Sequence, residues 1–284
     1  MKSDNASRTA DRVAERRAAH QLLDAPLVFE DPIALRVLRP EVAEQLQHAP
    51  HEYDRSPIAK YLRAFFAVRH RYAEDVLRAA VGRGVGQYVL VGAGFDTFAY
   101  RNPFPNLQVF EVDHPATQSE KRQRLASAGI AMPENLAFIS ADLALTPLRD
   151  ALAASAFDRN RPAVFAWLGV IPYLEAGAVE ATFRDIAALP KGTAVVFDYG
   201  LPRASLSFIG RIVFDRMAAR VAAIGEPWKT FFKPDELARL IRSLGFTDLE
   251  DLGRDEINAR YFAGRNDGLR VGEAAHLATA FIAP

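Results

Sequence analysis

Between residues 85 and 200, short apolar runs rich in Val, Phe, Ile and Leu alternate with longer amphipathic stretches. The runs Gln87–Gly92, Gln108–Asp113, Ala137–Ser140, Ala163–Leu168 and Ala194–Tyr199 read as strands covered on both faces. Helical stretches are expected at Ala116–Ala128, Ala176–Ala188 and Arg203–Ala223, and Pro234–Leu244 reads as a helix closed by Gly245. This alternation is that of an α/β fold with a mostly parallel sheet and right-handed crossovers. The tail to Pro284 is expected to add antiparallel strands around Leu249 and Arg260–Ala263. The N-terminal part has no strand pattern. Val13, Ala14, Arg17 and Gln21 share one helical face, and Asp31-Pro32 punctuates before another short helix. From Ile58 to Val81, Ile58, Tyr61, Leu62, Phe65, Tyr72 and Val76 recur at helical spacing. The pattern therefore divides the chain into a helical part, residues 1–82, and an α/β part, residues 83–284.

Composition narrows the classes without choosing among them. The chain has 284 residues, and its 35 basic and 35 acidic side chains cancel. A balanced charge gives no global field towards nucleic acid or an anionic membrane. No apolar run approaches the roughly 18 residues of a membrane span, and the charged N-terminus, MKSDNASRTADRVAERRAA, does not read as a secretory signal. The expected setting is the cytoplasm. The absence of cysteine removes disulfides, thiolate metal sites and a cysteine nucleophile.

Three strand ends carry candidate chemistry. The first runs into Gly92-Ala93-Gly94-Phe95-Asp96-Thr97, a glycine turn that lets backbone approach a ligand beside a helix N-terminus. Thr97 stands where a dinucleotide fingerprint needs its third glycine, which counts against a pyrophosphate site. The second ends in Asp113, 21 residues beyond Gly92, placed to accept hydrogen bonds from the ribose hydroxyls of an adenosine ligand. Glu111 points to the same side of that strand; Asp113 is favoured. At the third, Asp142 and Leu143 suit an adenine amino group and ring, although Asp also caps turns. Arg69 falls on the apolar stripe of its helix, where a guanidinium needs an anion, either an internal carboxylate or that of a ligand. Arg17 raises the same question.

The runs VLVGAGFDTFAYR, VFEVDHPATQSEKRQRL, ISADL, FAWLGVIPYL and VVFDYG resemble the leucine carboxyl methyltransferase-like family of S-adenosylmethionine enzymes. The likeness is to its bacterial branch of carboxyl and hydroxyl O-methyltransferases of secondary metabolism and covers about residues 10–265. It implies a class I methyltransferase fold, a Rossmann-like seven-stranded mostly parallel sheet with an N-terminal helical cap. It implies S-adenosylmethionine as cofactor, held by Gly92, Ala93, Gly94, Asp113, Asp142, Leu143, Trp167, Leu168 and, at its carboxylate, Arg69. Arg17, Tyr173 and Tyr199 are the candidates for the acceptor side. Leu168 replaces a Glu of the eukaryotic phosphatase methyltransferases, so their protein substrate is not carried over. The expected partner is a small-molecule acceptor, with neither nucleic acid nor membrane; the oligomeric state stays open.

Rival classes lack their signatures. A nicotinamide-dependent reductase would need the third glycine and an arrangement such as Tyr-x-x-x-Lys, and a hydrolase would need G-x-S-x-G. A cofactor-binding relative without catalysis stays compatible, because carboxyl methylation needs few unmistakable groups. No residue stands out as a general base. His114 reads as a cap, His48 and His51 lack a third metal ligand, and His20, His70 and His276 form no pattern.

Overall fold

A computed structural model of the chain describes residues 8–283; the first seven residues of the charged N-terminal stretch lie outside the described part. Three helices open it: α1 (Arg8–Leu23), α2 (Pro40–His48) and α3 (Pro57–Val81). The short helix expected after Pro32 is a run of turns, with Val37 N–H bonding Ile33 C=O. Ser56 caps α3, its hydroxyl accepting from Ile58 N–H, and the helix then runs 25 residues, about 37 Å at 1.5 Å per residue.

Seven strands follow: β1 (Gln87–Val91), β2 (Gln108–Asp113), β3 (Leu136–Ser140), β4 (Val164–Trp167), β5 (Ala194–Gly200), β6 (Asp248–Leu252) and β7 (Ala275–Phe281). They form one sheet in the order β3-β2-β1-β4-β5-β7-β6. The first five pair in parallel, and β7 inserts antiparallel between β5 and β6. The class expected from the pattern is therefore the one observed. The intervening helices are α4 (Pro115–Ser127), α5 (Leu148–Ala153), α6 (Ala176–Ala187), α7 (Phe208–Ala223), α8 (Pro234–Ser243) and α9 (Arg254–Tyr261).

Period-2 alternation sends the sheet's side chains into two cores. On one face Val89, Val91, Phe110, Phe165, Trp167 and Phe197 pack on α5, α6 and α8 through Leu152, Phe183 and Ile241. On the other, Tyr88, Leu90, Val109, Val164 and Val196 meet Ala64, Val68, Tyr72 and Leu77 of α3. A third cluster joins Ala14 and Ala18 of α1 to Phe95 and Leu125. The helix α3 is thus a layer of the sheet as well as the support for α1.

The tail departs from expectation. Arg260–Ala263 is no strand: Arg260 and Tyr261 end α9, which starts behind Gly253 with Asp255 and Glu256 in its first turn, where carboxylates suit the helix dipole. The antiparallel strand is β7, whose alanines give little β signal of their own and which is held by pairing on both sides. The predicted helix Arg203–Ala223 is broken, with a single 3₁₀ turn at Arg203–Ser205 before Ser207 caps α7.

Candidate functional site

A cavity of about 420 Å³ opens at the carboxyl ends of β1, β2 and β4, the crevice in which open α/β sheets bind ligands. The turn after β1 forms its floor. Gly92 has φ +70°, and an added Cβ there would sit 2.3 Å from Val170 Cγ2, so both conformation and space demand glycine. Gly94 has φ +49°. Its N–H bonds Asp113 Oδ2 at 2.5 Å, while His114 N–H bonds Oδ1 at 2.6 Å. The tip acid is therefore aimed at the glycine turn from the end of β2. Burial pushes its pKa up, against the pull of these two N–H groups.

The choice between the two acids of β2 is resolved by their surroundings. Glu111 is fully buried and pairs with Lys121 Nζ at 2.7 Å, away from the cavity lining; Asp113 is part of that lining. His114 caps α4, its Nδ1 accepting from Ala116 N–H at 3.3 Å.

One wall is built from α3, α1 and the loop after Gly94. Arg69 is 5% exposed. Its Nη1 lies 3.5 Å from Asp198 Oδ2, its Nε has no hydrogen-bond partner, and its guanidinium lies close over Gly169. Burial lowers its pKa, with Asp198 opposing. Asp198 is itself engaged, accepting from Gly169 N–H at 2.6 Å. Next along α3, His70 donates Nδ1–H to Phe66 C=O at 2.7 Å, the tautomer that this geometry requires. Its Nε2 then faces Arg17 Nη1 at 3.3 Å and Asp96 Oδ2 at 3.4 Å. Burial holds His70 below the ordinary imidazole range. Burial also opposes the charge of Asp96, but His70, Arg17 and Lys121 outweigh it and keep that carboxyl well below the usual range. Arg17 is firmly engaged: Nη2 donates to Phe95 C=O at 2.6 Å, and Nε lies 2.9 Å from Asp31 Oδ2, an ion pair although the N–H is not directed along it.

Asp142, Leu143, Leu168 and Tyr173 complete the lining, with Ala93, Thr9 and Val13. Asp142 also accepts from Ala144 N–H at 3.0 Å, so the turn-capping role and the cavity position coexist. Above the mouth, the Thr9 hydroxyl donates to the Glu226 carboxylate and joins α1 to the segment after α7.

Two expected site residues lie elsewhere. Trp167 points to the opposite face of β4 from its neighbour, fully buried with its ring 5.1 Å from that of Phe183, and it does not line the cavity. Tyr199 is also outside the lining; its hydroxyl donates to Asp251 Oδ2 at 2.6 Å, beside His276 towards β6. The cavity contains groups that the sequence did not single out: His70, Asp96, Thr117 and Glu226. A signal for His70 existed, since it adjoins Arg69 on the same helix. Nothing in the sequence placed Glu226 across from Thr9. Among the described residues, no three His, Cys, Asp or Glu cluster as metal ligands, and no helix is long and apolar enough to cross a membrane.

Comparison with known proteins decides the family. The model of the leucine carboxyl methyltransferase family matches residues 10–187. The chain belongs to that family. The family member is 33% identical to YktD of Bacillus subtilis (strain 168), provisionally named an S-adenosyl-L-methionine-dependent methyltransferase, over 97% of this chain and 98% of that one. It is 32% identical to Rv0281 of Mycobacterium tuberculosis (strain H37Rv), which is named in the same way, over 78% of this chain and 74% of the relative. Among solved structures, a methyltransferase-like protein of Thermobifida fusca YX superposes with a TM-score of 0.59 at 17% identity, covering 96% and 94% of the two chains. A DUF574 family protein of Streptomyces avermitilis gives 0.58 at 18% identity, covering 95% and 97%. Both likenesses concern the fold. The family, the enzyme class and the sheet expected from the sequence are those found.

Proposed function

We propose that this methyltransferase binds S-adenosylmethionine in the cavity and transfers its methyl group to a carboxylate or hydroxyl oxygen of a small molecule, of the kind met in secondary metabolism. The observation that carries the reading is Arg69. A buried guanidinium with one 3.5 Å contact and an unpartnered Nε is under-satisfied, and it lines the cavity wall. A carboxylate supplies what it lacks, in the forked geometry that guanidinium favours.

The remaining residues fit the rest of the cofactor. Asp113 offers carboxylate oxygens for ribose hydroxyls, Gly92 and Gly94 let backbone come close, and Asp142 with Leu143 offers an acceptor and an apolar surface for adenine. Asp96, ionised on the same wall as Arg69, suits the α-ammonium, so the wall carries the two signs of an amino-acid end. Arg17, tied to Asp31 and Phe95, positions His70 and Asp96 from behind.

When bound, the cofactor supplies an electrophilic methyl carbon on a sulfonium. The chain's task is to align the acceptor oxygen and keep water out. Holding reacting atoms about 3–3.5 Å apart in line accounts for a large share of such a rate. The Thr9–Glu226 contact narrows the mouth, and Tyr173 faces the interior from beside it. A carboxylate acceptor is an anion at neutral pH and needs no base, whereas a hydroxyl with a pKa of about 10 needs one.

The test is thermal melting with S-adenosylmethionine, S-adenosylhomocysteine, NADH and NADPH. Ligand at about 100 times its dissociation constant adds roughly 2.7 kcal/mol, a rise of several degrees. Stabilisation by the two sulfur nucleotides alone, reduced at least tenfold in affinity by Asp113→Ala, is expected. Stabilisation by a nicotinamide, or by none of the four, overturns the proposal. Cofactor binding without turnover of any carboxylic acid or phenol would favour a relative that binds but does not catalyse.

A further inference from the structure

A surface helix ordinarily buries one side and presents polar residues on the other. α7 departs from that plan. Its inner side packs through Val221 and through Phe214, whose ring lies 5.5 Å from that of Trp228 and 5.2 Å from that of Phe231. Its outer side begins with Phe208 and Ile209, 76% and 73% exposed, followed by Ile212. Phe208, Ile212, Arg216 and Arg220 succeed one another at steps of four and are all exposed, so apolar and basic residues share one line along the helix. A helix that is apolar on both sides is expected to be covered on both.

The charge around this line is mainly positive. Among the described residues Arg216 and Arg220 make no hydrogen bond or ion pair, and Arg211 gives its Nε to Leu206 C=O at 2.9 Å. The acids beside them are engaged. Asp215 accepts from Arg203 Nε and Nη2 at 2.7 and 2.8 Å, Glu273 accepts from the hydroxyl and N–H of Ser207, and Glu226 accepts from Thr9. Next to Glu273, Gly272 packs beside the exposed ring of Tyr61, so the surface continues onto the start of α3. There the Tyr61 hydroxyl accepts from Arg270 Nη2 at 3.2 Å, and Lys60 Nζ bonds Asp267 C=O at 2.9 Å, while the Asp267 carboxylate is paired with Arg265. Leaving that last pair aside, six cations stand among three acids.

We propose that the outer side of α7 docks the protein on an anionic lipid surface, with Phe208, Ile209 and Ile212 entering the headgroup boundary and Arg216 and Arg220 meeting anionic headgroups. A second copy of the chain is a poorer occupant. The three apolar side chains expose on the order of 300–400 Å², short of the roughly 800 Å² per partner of a stable dimer. Arg216 also stands at the middle of α7, so a two-fold contact centred on that helix sets it against its own copy. A lipid surface needs no groove. Apolar side chains projecting from the start of a helix enter it, and neighbouring arginines are drawn by its charge. The balanced total charge and the lack of a spanning helix among the described residues, which speak against a membrane partner at large, do not bear on a peripheral contact of this kind. The docking is independent of what the cavity binds, although α7 leads into Gly225 and Glu226 of the cavity lining.

Co-sedimentation of the full chain with vesicles tests this, using phosphatidylcholine alone and phosphatidylcholine with about a third phosphatidylserine. Wild type should bind the anionic vesicles at least tenfold more tightly than the neutral ones, and added salt should weaken that binding. The double variant Phe208→Ser, Ile209→Ser and the single variant Arg216→Glu should each weaken it at least fivefold. Arg184→Glu makes the same change of net charge on α6, at another exposed arginine, and should stay within twofold. All these side chains are exposed, so melting should show folded protein throughout. Binding to neither vesicle, equal binding to both, or unchanged binding in either α7 variant overturns the proposal. An equal loss in Arg184→Glu and Arg216→Glu overturns it as well, because net charge and not this face would then be the cause. A wild type that ignores both vesicles but binds polyglutamate, with loss in Arg216→Glu, assigns the face to an acidic protein in place of lipid.

Discussion

Arg63 and Arg69 lie on one helix, six residues apart, and are almost equally buried, at 2% and 5% exposure. Their surroundings are opposite. Arg63 gives Nε and Nη2 to the two oxygens of Asp24, at 2.7 and 3.0 Å, and Nη1 to Asp54 at 2.7 Å. Arg69 has one contact at 3.5 Å and an idle Nε. The first is a closed ion network that fastens α3 to the segment after α1. The second leaves capacity unused on a cavity wall. The saturated charge is built into the fold, and the unsaturated one on the cavity wall is the one that the proposed function assigns to a ligand.

The largest expected effect is on the closed side. Asp24→Ala leaves Arg63 with Asp54 alone and also removes the partner of His20, whose Nδ1 lies 2.7 Å from Asp24 Oδ2. Breaking a buried pair from one side costs about 3–5 kcal/mol. Thermal melting should fall by several degrees, while the affinity for S-adenosylhomocysteine, measured below the new transition, should hold. A large loss of affinity with little loss of stability would erase the distinction.

On the open side the order of effects reverses. Arg69→Met keeps much of the apolar stem that packs near Phe66 and removes a cation with poor compensation. Because the lost contact to Asp198 is long, at 3.5 Å, and Asp198 keeps the Gly169 N–H, stability should fall less than in Asp24→Ala. Cofactor affinity should fall more than tenfold, at least about 1.4 kcal/mol. Calorimetry and melting on the same sample separate the two, and wild-type affinity in a folded Arg69→Met protein would remove Arg69 from the site.

The sequence carried half of this contrast. Arg69 was legible because its spacing put a charge on an apolar stripe, and the glycine turn and Asp113 were legible because strand ends announce themselves. The five parallel strands were found for the same reason: buried on both faces, they read as continuous apolar runs. What failed depended on packing that a single segment does not encode. Trp167 and Leu168 are neighbours, and which of them meets the cavity follows from the pleat of β4 against β1 and β5. Tyr199 looked like a site aromatic until β6 placed Asp251 against its hydroxyl. β7 is strand only because β5 and β6 pair with it. The division at residue 82 followed local pattern, whereas α3 takes part in the core of the sheet.

The smallest expected effect concerns His70, which lies between the two cases. Its Nδ1–H is satisfied by Phe66 C=O, and its Nε2 accepts from Arg17 Nη1 at 3.3 Å and lies 3.4 Å from Asp96 Oδ2. Burial lowers its folded-state pKa below the unfolded value of about 6.5. Between those two pKa values the unfolded chain binds more protons at this residue than the folded one, so stability rises with pH through that window and is lost as pH falls. Above about pH 6.5 both states hold neutral imidazole and the contribution is constant. His70→Gln, which retains a hydrogen-bonding side chain without titrating, should flatten the melting curve on the acid side of about pH 6.5 and leave neutral-pH stability close to wild type. Acid sensitivity unchanged in His70→Gln would assign it to other groups and detach His70 from the electrostatics of Arg17 and Asp96. If the flattening is seen, the same variant sharpens the contrast along α3, because S-adenosylhomocysteine affinity should drop less than for Arg69→Met. That ranking is expected if His70 acts through Asp96, 3.4 Å away, and Arg69 contacts the ligand as proposed; equal losses in the two variants would put His70 in contact with the ligand as well.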